Sequence, residues 1–205
     1  MAHLLTDAGH EAIAVDLPGD DETAGLARYT ELVVEAIGSR AGVVLVAGSL
    51  GGFTAPLVCE RVTVGELVLV NAMIPNPGET ARDWWAHTGA LEAREEAARA
   101  GDYGPFDLAT YFLHDVDAQT AAEGERYQRS EAAVAFESVC DFTAWPARTR
   151  VLVGADDRFF PAGLQRQVAR DRLGLEPDLV PGGHLLPLVQ PLLVADYLQQ
   201  GPRRP

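Results

Sequence analysis

Apolar residues along this chain follow two patterns, short continuous runs and longer stretches with helical spacing. Three apolar runs, at 43–48, 66–71 and 150–154, predict buried strands, and shorter segments at 11–17 and 177–180 predict two more. The stretches between them show apolar residues three or four positions apart. Apolar strands that alternate with helices are typical of a parallel sheet covered on both faces, so the pattern predicts an α/β fold.

The helices that connect these strands are predicted by the same spacing. One is expected over 23–38, and another over 53–62, directly after the strand at 43–48. Pro56 lies inside the second of these and is expected to kink it, because proline removes a backbone donor. A closing helix is predicted over 185–199.

The segment at about 74–146 differs from the rest of the chain, because it is rich in polar helical stretches and follows a core strand. An insertion of this length predicts a helical lid over a site. Its aromatic side chains could form an apolar pocket for an acyl or alcohol group, although ordinary packing within the lid is the commoner role for any single one. These residues are Trp84, Trp85, Phe106, Tyr111 and Phe112.

A serine stands at the end of the strand at 43–48. The sequence Ala-Gly-Ser-Leu-Gly-Gly at 47–52 places Ser49 between small residues, and a helix is predicted to begin at once. This arrangement presents a serine hydroxyl at a sharp turn, with the amides of the helix N-terminus facing any negative charge that forms. Ser49 is therefore the candidate nucleophile, with a purely structural turn as the alternative.

Two further residues with catalytic chemistry follow later strands. Asp156 and Asp157 come just after the strand at 150–154, and His184 lies in a Gly-Gly-His turn after the next strand. Both aspartates could instead cap a helix, and His184 could be structural. Because carboxyl ends of parallel strands share one sheet edge, the order Ser, Asp, His predicts a triad of Ser49, Asp157 and His184.

Together these residues resemble the α/β-hydrolase family over essentially the whole chain, and more narrowly its small-lid esterase branch, which includes plant methyl-ester esterases and hydroxynitrile lyases. Segments 47–52, 67–79, 151–170 and 181–184 carry the resemblance. It implies that the triad acid is Asp157 rather than Asp156. It also implies that the backbone N–H of Leu50 donates to the oxyanion.

The resemblance implies a serine hydrolase that cleaves a small apolar carboxylic ester without a cofactor or metal. The cyanohydrin-cleaving relatives carry a lysine directly after the catalytic histidine, whereas this chain has Leu185 there and contains no lysine. Dehalogenases and epoxide hydrolases would need Asp in place of Ser49. The alternative is a non-catalytic small-molecule-binding protein or degenerate pseudoenzyme on the same scaffold.

The beginning of the chain departs from the family, because residues 1–8 resemble the tail of the family's first helix. Roughly 30–40 residues, including a central strand and the loop that gives a second oxyanion donor, are expected to be missing. Two explanations account for the missing segment. One is a misplaced start codon or a truncation, which we favour, and the other is a chain that is truly degenerate. Loss of one oxyanion donor lowers the catalytic rate about 10²–10³-fold, so weak or no activity is expected of the chain as written.

Composition narrows the range of partners and locations. The 205 residues carry a formal charge of −14, which argues against nucleic acid and anionic membranes as partners. The expected partner, a small-molecule ester, is what the resemblance implies. No signal peptide or membrane-length apolar run is visible, and Cys59 and Cys140 form neither a disulfide framework nor a metal-ligand spacing. A cytoplasmic location and a bacterial source are expected, and residues 201–205 are expected to be a frayed tail.

Overall fold

Four parallel strands form one sheet in the order in which they occur along the chain. The computed structural model describes residues 1–201, so the tail expected at 201–205 lies outside the described residues except for Gly201. The strands are β1 (Val44–Ser49), β2 (Glu66–Ala72), β3 (Thr149–Gly154) and β4 (Asp178–Val180). The parallel α/β sheet predicted from the sequence is confirmed.

Helices connect the strands and cover both faces of the sheet. In the described part of the chain they are α1 (Ala2–Asp7), α2 (Leu26–Ile37), α3 (Gly51–Arg61), α4 (Ala81–Thr88), α5 (Ala90–Gly101), α6 (Leu108–Phe112), α7 (Ala118–Glu125), α8 (Ala133–Glu137), α9 (Ala162–Leu173), α10 (Leu186–Val189) and α11 (Pro191–Gln199).

Strand β2 forms the centre of the core, and all seven of its residues are buried. Successive side chains point to opposite faces of a strand, so β2 contributes to two apolar layers. Leu67 and Leu69 pack in the large cluster that also contains Phe53, whereas Val68 and Val70 pack on the other face. Burial on both faces explains why this strand is a continuous apolar run rather than an alternating one.

The prediction of a strand over 11–17 is wrong. This segment has no ladder partner in the described structure, where β1 pairs only with β2. Val15 and Leu17 instead pack beside Val33 and Ile37 of α2. The alternating pattern therefore reflects one side of an extended segment packed on a helix, because alternation reports burial of one face and not hydrogen bonding to a neighbour.

The closing helix predicted over 185–199 is two helices in the structure, α10 and α11. They meet at Gln190 and Pro191, and Pro191 occupies the first position of α11. Proline is tolerated there because the first N–H groups of a helix have no intrahelical partner. Pro56 also lies within a helix, and α3 continues through it.

Helices α4–α8 occupy the stretch between β2 and β3 where the sequence predicts an insertion. The stretch is anchored at its start, where Trp84 is buried and its indole N–H donates to the carbonyl of Ile74 over 3.1 Å. A capping box between Thr80 and Asp83 begins α4. These contacts fix the first turn of the insertion to the end of β2.

None of the helices within residues 1–201 combines the length and the hydropathy needed to cross a lipid bilayer.

Candidate active site

Ser49 lies at the sharp turn between β1 and α3, as the sequence predicts. Its φ angle is +47°, in the left-handed region that costs a side-chain-bearing residue about 1–2 kcal/mol. Helix α3 begins two residues later, and a Cβ added at Gly52 would lie 1.8 Å from the carbonyl oxygen of Met73. Only glycine at 52 lets α3 approach β2 so closely. The strained serine and the close approach are both features of a turn that presents a nucleophile.

Asp157 and His184 form a buried pair. Nδ1 of His184 lies 2.9 Å from Oδ2 of Asp157, and the two side chains are 2% and 0% exposed. The other carboxylate oxygen, Oδ1, accepts hydrogen bonds from the amides of Phe159 and Phe160, each over 2.9 Å. The carboxylate is therefore held from both oxygens, and it fixes the orientation of the imidazole ring.

Asp156 does not contact the imidazole of His184. Its Oδ2 accepts the amide N–H of Gly182 over 3.0 Å, and its own amide donates to the carbonyl of Gly182 over 3.1 Å. The neighbouring aspartate thus holds the loop that carries the histidine, whereas Asp157 holds the ring. The choice of Asp157 over Asp156 agrees with this geometry.

Nε2 of His184 is buried and has no hydrogen-bond partner in the described structure. If Nδ1 carries the proton that it shares with Asp157, Nε2 presents a lone pair. Ser49 lies on the same sheet edge, since β1, β3 and β4 are parallel and all three residues follow carboxyl ends. The structure brings Asp157 and His184 into contact and leaves Ser49 without a hydrogen bond to Nε2.

Leu50 lies at the N-cap position of α3, and its carbonyl accepts the amide of Phe53 over 2.9 Å. The side chain of Leu50 packs against the large core cluster. Its backbone amide is therefore at the N-terminal end of an eleven-residue helix, where the helix dipole favours negative charge.

The five aromatic residues predicted to line a pocket form one cluster, but their surroundings differ. Trp84 and Tyr111 are only 2% and 3% exposed and are core residues, whereas Phe106 is 53% exposed. Trp85 packs edge-on against Phe159, with ring centroids 5.4 Å apart. Packing in the main core thus accounts for Trp84, and packing against Tyr103 and Phe106 within the insertion accounts for Tyr111.

Phe112 lies directly against the histidine. Its ring is 4.9 Å from the imidazole of His184 in a T-shaped arrangement, and Phe159 and Phe160 contact the same ring at 5.1 and 5.2 Å. Three phenylalanines therefore surround the imidazole and keep bulk water from it. The sequence pattern predicts a pocket role for Phe112 but does not mark Phe159 and Phe160, although both lie within three residues of Asp157.

Comparison with known proteins identifies the family. The model of the alpha/beta hydrolase family matches residues 1–197. The chain belongs to the alpha/beta hydrolase family. The family and fold expected from the sequence are confirmed, and the expected enzyme class, a hydrolase, is that of the family. No curated protein sequence matches the chain significantly.

Solved structures with the same fold include esterases of the branch that the sequence resembles. Polyneuridine aldehyde esterase has a TM-score of 0.76 at 19% identity, with 97% of this chain and 91% of that chain covered. An extracellular alpha/beta-hydrolase from a Paenibacillus species has 0.75 at 18%, with 99% and 92% covered. A methylesterase from Arabidopsis has 0.73 at 16%, with 97% and 89% covered. At these identities the likeness concerns the fold alone.

Gln165 is a residue of this hydrolase that the sequence analysis missed. It is buried in the first turn of α9, and its Nε2 donates to Oδ2 of Asp157 over 3.0 Å and to the carbonyl of Phe160 over 2.6 Å. A buried glutamine on a helix is not recognisable from one sequence. The only signal is its position on the apolar face, beside Leu164 and Val168.

Asp115 links the inserted segment to the loop after β4 that carries His184, the histidine loop. Its Oδ2 accepts the amide N–H of Gly183 over 2.6 Å, and a Cβ at Gly183 would lie 2.7–3.0 Å from side-chain atoms of His114 and Asp115. Nothing in the sequence marks Asp115, since it stands in a polar loop 68 residues from its partner. The position of the histidine loop therefore depends on the inserted segment as well as on the sheet.

An open cavity of about 450 Å³ lies beside Asp157, on the side lined by Tyr103, His114, Asp115 and Arg158. Ser49 and His184 are not among its lining residues.

Proposed function

We propose that this hydrolase cleaves a small apolar carboxylic ester through an acyl-enzyme, with Ser49 as nucleophile, His184 as general base and Asp157 as the orienting acid. One observation carries the proposal. Oδ2 of Asp157 lies within hydrogen-bonding distance of Nδ1 of His184, 2.9 Å away. Nε2 of the same ring is buried without a partner in the described part of the chain, at the sheet edge that presents Ser49. Buried nitrogens are nearly always hydrogen-bonded, so an unpaired one on the sheet edge that also carries the strained Ser49 supports a chemical role.

In this mechanism Nε2 of His184 takes the proton of the Ser49 hydroxyl as Oγ attacks the ester carbonyl. Asp157 holds the tautomer that leaves Nε2 free and stabilises the imidazolium that forms. The Leu50 amide donates to the oxyanion at the N-terminal end of α3. The imidazolium then protonates the departing alcohol, which leaves an ester bond between Ser49 and the acyl group.

Water completes the cycle. His184 removes a proton from a water molecule, which attacks the acyl carbon, and the proton is returned to Oγ of Ser49 as the carboxylic acid leaves. The phenylalanines that surround the imidazole limit the access of bulk water to this step, which strengthens the electrostatic interactions at the site.

We propose that helices α4–α8, in the segment at about 74–146, form a lid whose aromatic side chains select apolar substrates. Phe112 supports this proposal, because it is the inserted residue whose ring lies against His184. Trp85, Phe106 and Phe159 extend the same aromatic cluster. The guanidinium of Arg94 lies 4.9–5.7 Å from rings of this cluster, so an apolar group would meet flat aromatic and guanidinium surfaces.

The central test combines covalent labelling with hydrolysis of p-nitrophenyl acetate. A fluorophosphonate probe is expected to label the native chain once, and Ser49→Ala is expected to abolish both labelling and hydrolysis. Ser39→Ala is the matched control, because Ser39 lies in the exposed turn between α2 and β1 and should retain both. Labelling that persists in Ser49→Ala, or a native chain that the probe does not label, would contradict the proposal.

A cytoplasmic location is part of the proposal. Cys59 and Cys140 are both free thiols in the structure, and free buried thiols are typical of a reducing compartment. The composition, with arginine and no lysine, supports a bacterial source. One structural neighbour is extracellular. Fractionation of a bacterial culture tests the location, and recovery of the protein from the medium would contradict it.

A further inference from the structure

Asn71 occupies an unusual position at the carboxyl end of β2. It is 1% exposed, and its φ angle is +47°, the same left-handed value as that of Ser49. The register between β1 and β2 shifts at this point, because Gly48 pairs with Val70 whereas Ser49 pairs with Ala72. Asn71 is therefore the extra residue of a β-bulge that lies directly opposite the serine turn, and bulges next to sites serve to aim side chains.

The side chain of Asn71 bridges the end of β3 and the loop after β4 that carries His184. Its Nδ2 donates to the carbonyls of Gly183 and His184, over 2.9 and 3.0 Å. Its Oδ1 accepts the amide N–H of Gly154 over 2.7 Å, at the end of β3 and three residues before Asp157. Both amide donors and the acceptor oxygen are thus used, and all three partners are backbone groups of the segments that carry the acid and the base.

We propose that Asn71 is a positioning residue. It fixes three segments relative to one another: the turn that carries Ser49, the loop after β3 that carries Asp157, and the loop after β4 that carries His184. The inference rests on the proposed function, since it assigns Asn71 to the reaction of Ser49, Asp157 and His184. The backbone bulge of Asn71 sets the register of Ser49, and its side chain spans the gap between β3 and the histidine loop. One residue therefore contacts the segments that carry the acid and the base, and it stands in the bulge opposite the serine turn.

The chemistry at this position requires an amide. Aspartate has the same shape and tolerates positive φ, but it has no N–H donors and would place a negative charge against two carbonyl oxygens. Glycine allows the backbone angle without strain but cannot bridge the strands. Either change leaves backbone groups of the histidine loop without partners in a buried position.

The experiment compares Asn71→Asp and Asn71→Gly with a control on the same strand. Glu66→Gln is that control, because Glu66 is buried at the opposite end of β2 in an ion pair with Arg150. We expect kcat for p-nitrophenyl acetate to fall about 10–100-fold in both Asn71 variants with little change in KM, since a displacement of about 1 Å costs this much. Glu66→Gln is expected to lose thermal stability while keeping its kcat.

A second readout does not depend on activity. The proton on Nδ1 of His184, hydrogen-bonded to Asp157, is expected to give a downfield NMR signal in the native chain, and Asn71→Asp should shift or abolish it. Unchanged kcat in the Asn71 variants, an unchanged signal, or an equal loss of kcat in Glu66→Gln would overturn the role of Asn71. If the fluorophosphonate probe does not label the native chain, the proposed function fails, and the NMR signal alone decides whether Asn71 positions the histidine.

Discussion

The side-chain amide of Gln165 donates a hydrogen bond to Oδ2 of Asp157 over 3.0 Å, and both side chains are buried. The same oxygen is also the hydrogen-bond partner of Nδ1 of His184. Gln165 therefore helps to keep this oxygen directed at the imidazole. Because a second hydrogen bond from Gln165 reaches the carbonyl of Phe160, the amide also fixes the loop that carries the acid.

We expect Gln165→Leu to lower kcat about tenfold and the free energy of unfolding by about 1–3 kcal/mol, because a buried carbonyl loses its partner and the carboxylate loses one donor. Esterase kinetics and urea unfolding measure the two effects. Gln167→Leu is the matched control, since Gln167 lies exposed on the same helix. Equal kcat in the two variants would show that Gln165 does not orient the acid.

Asp157 and Asp156 allow a direct test of which carboxylate serves the histidine. Asp157→Asn should leave the fold intact and reduce kcat by up to about 10⁴-fold, the loss that this change causes in a serine protease triad through the wrong histidine tautomer. Asp156→Asn should cost far less, because an amide oxygen can still accept the N–H of Gly182. Steady-state kinetics on p-nitrophenyl acetate distinguish them, and a larger loss in the Asp156 variant would reverse the assignment.

Gly52 provides a prediction about stability at the serine turn. A methyl group at this position would lie 1.8 Å from the carbonyl of Met73, so Gly52→Ala must push α3 away from β2. We expect a loss of about 3 kcal/mol or more, measured by urea unfolding, or failure to fold. Gly163→Ala in α9 is the control, because open space surrounds that position, and it should be stabilising by up to about 1 kcal/mol. Similar effects of the two changes would contradict this account.

The part of the site that could be predicted from the sequence is the part encoded by local patterns. Ser49, Asp157 and His184 each follow an apolar run, so strand order and turn chemistry were enough to place them on one sheet edge. Asn71 and Gln165 could not be found in this way. Their partners are 112 and 8 residues away, and each stands at a position where an ordinary core residue would fit the pattern equally well.

The segment at 11–17 shows the opposite limitation. Val15 and Leu17 are half-buried but Ile13 is 49% exposed, so the alternation holds only in part. Whether such a segment joins a sheet depends on a neighbouring strand that the pattern does not reveal. The single helix predicted over 185–199 failed for a related reason. Its apolar spacing continues across Gln190 and Pro191, whereas the backbone there begins a new helix.

The buried carboxylate of Glu79 makes the stability of the insertion depend on pH. Burial alone would raise the pKa of Glu79, but hydrogen bonds from Arg172, the Asn76 amide and His87 outweigh it and hold the pKa below its ordinary value of 4.5. Arg172 reaches both oxygens of Glu79 and also donates to the carbonyl of Ile74 over 2.6 Å. This ion pair therefore joins α9 to the beginning of the insertion.

Because its folded pKa is lowered, Glu79 contributes stability that is fully present above the pKa of the unfolded chain and is lost as the pH falls through the folded value. We expect Glu79→Gln to lower the free energy of unfolding at pH 7 by about 3 kcal/mol or more, since it leaves the buried Arg172 unpaired. The difference from the native chain should shrink as the pH falls below the ordinary value of 4.5 and toward the lowered folded value, because protonation of Glu79 then mimics the substitution.

Urea unfolding between pH 3 and 7 measures this pH dependence. Glu176→Gln is the matched control, because Glu176 pairs with Arg166 and Arg170 at the surface and should change stability far less at every pH. If the native chain and Glu79→Gln differ by a constant amount across the range, Glu79 does not titrate in the folded state as its contacts require. A matching loss in Glu176→Gln would instead attribute the effect to overall charge, since both substitutions remove one negative charge from a chain of formal charge −14.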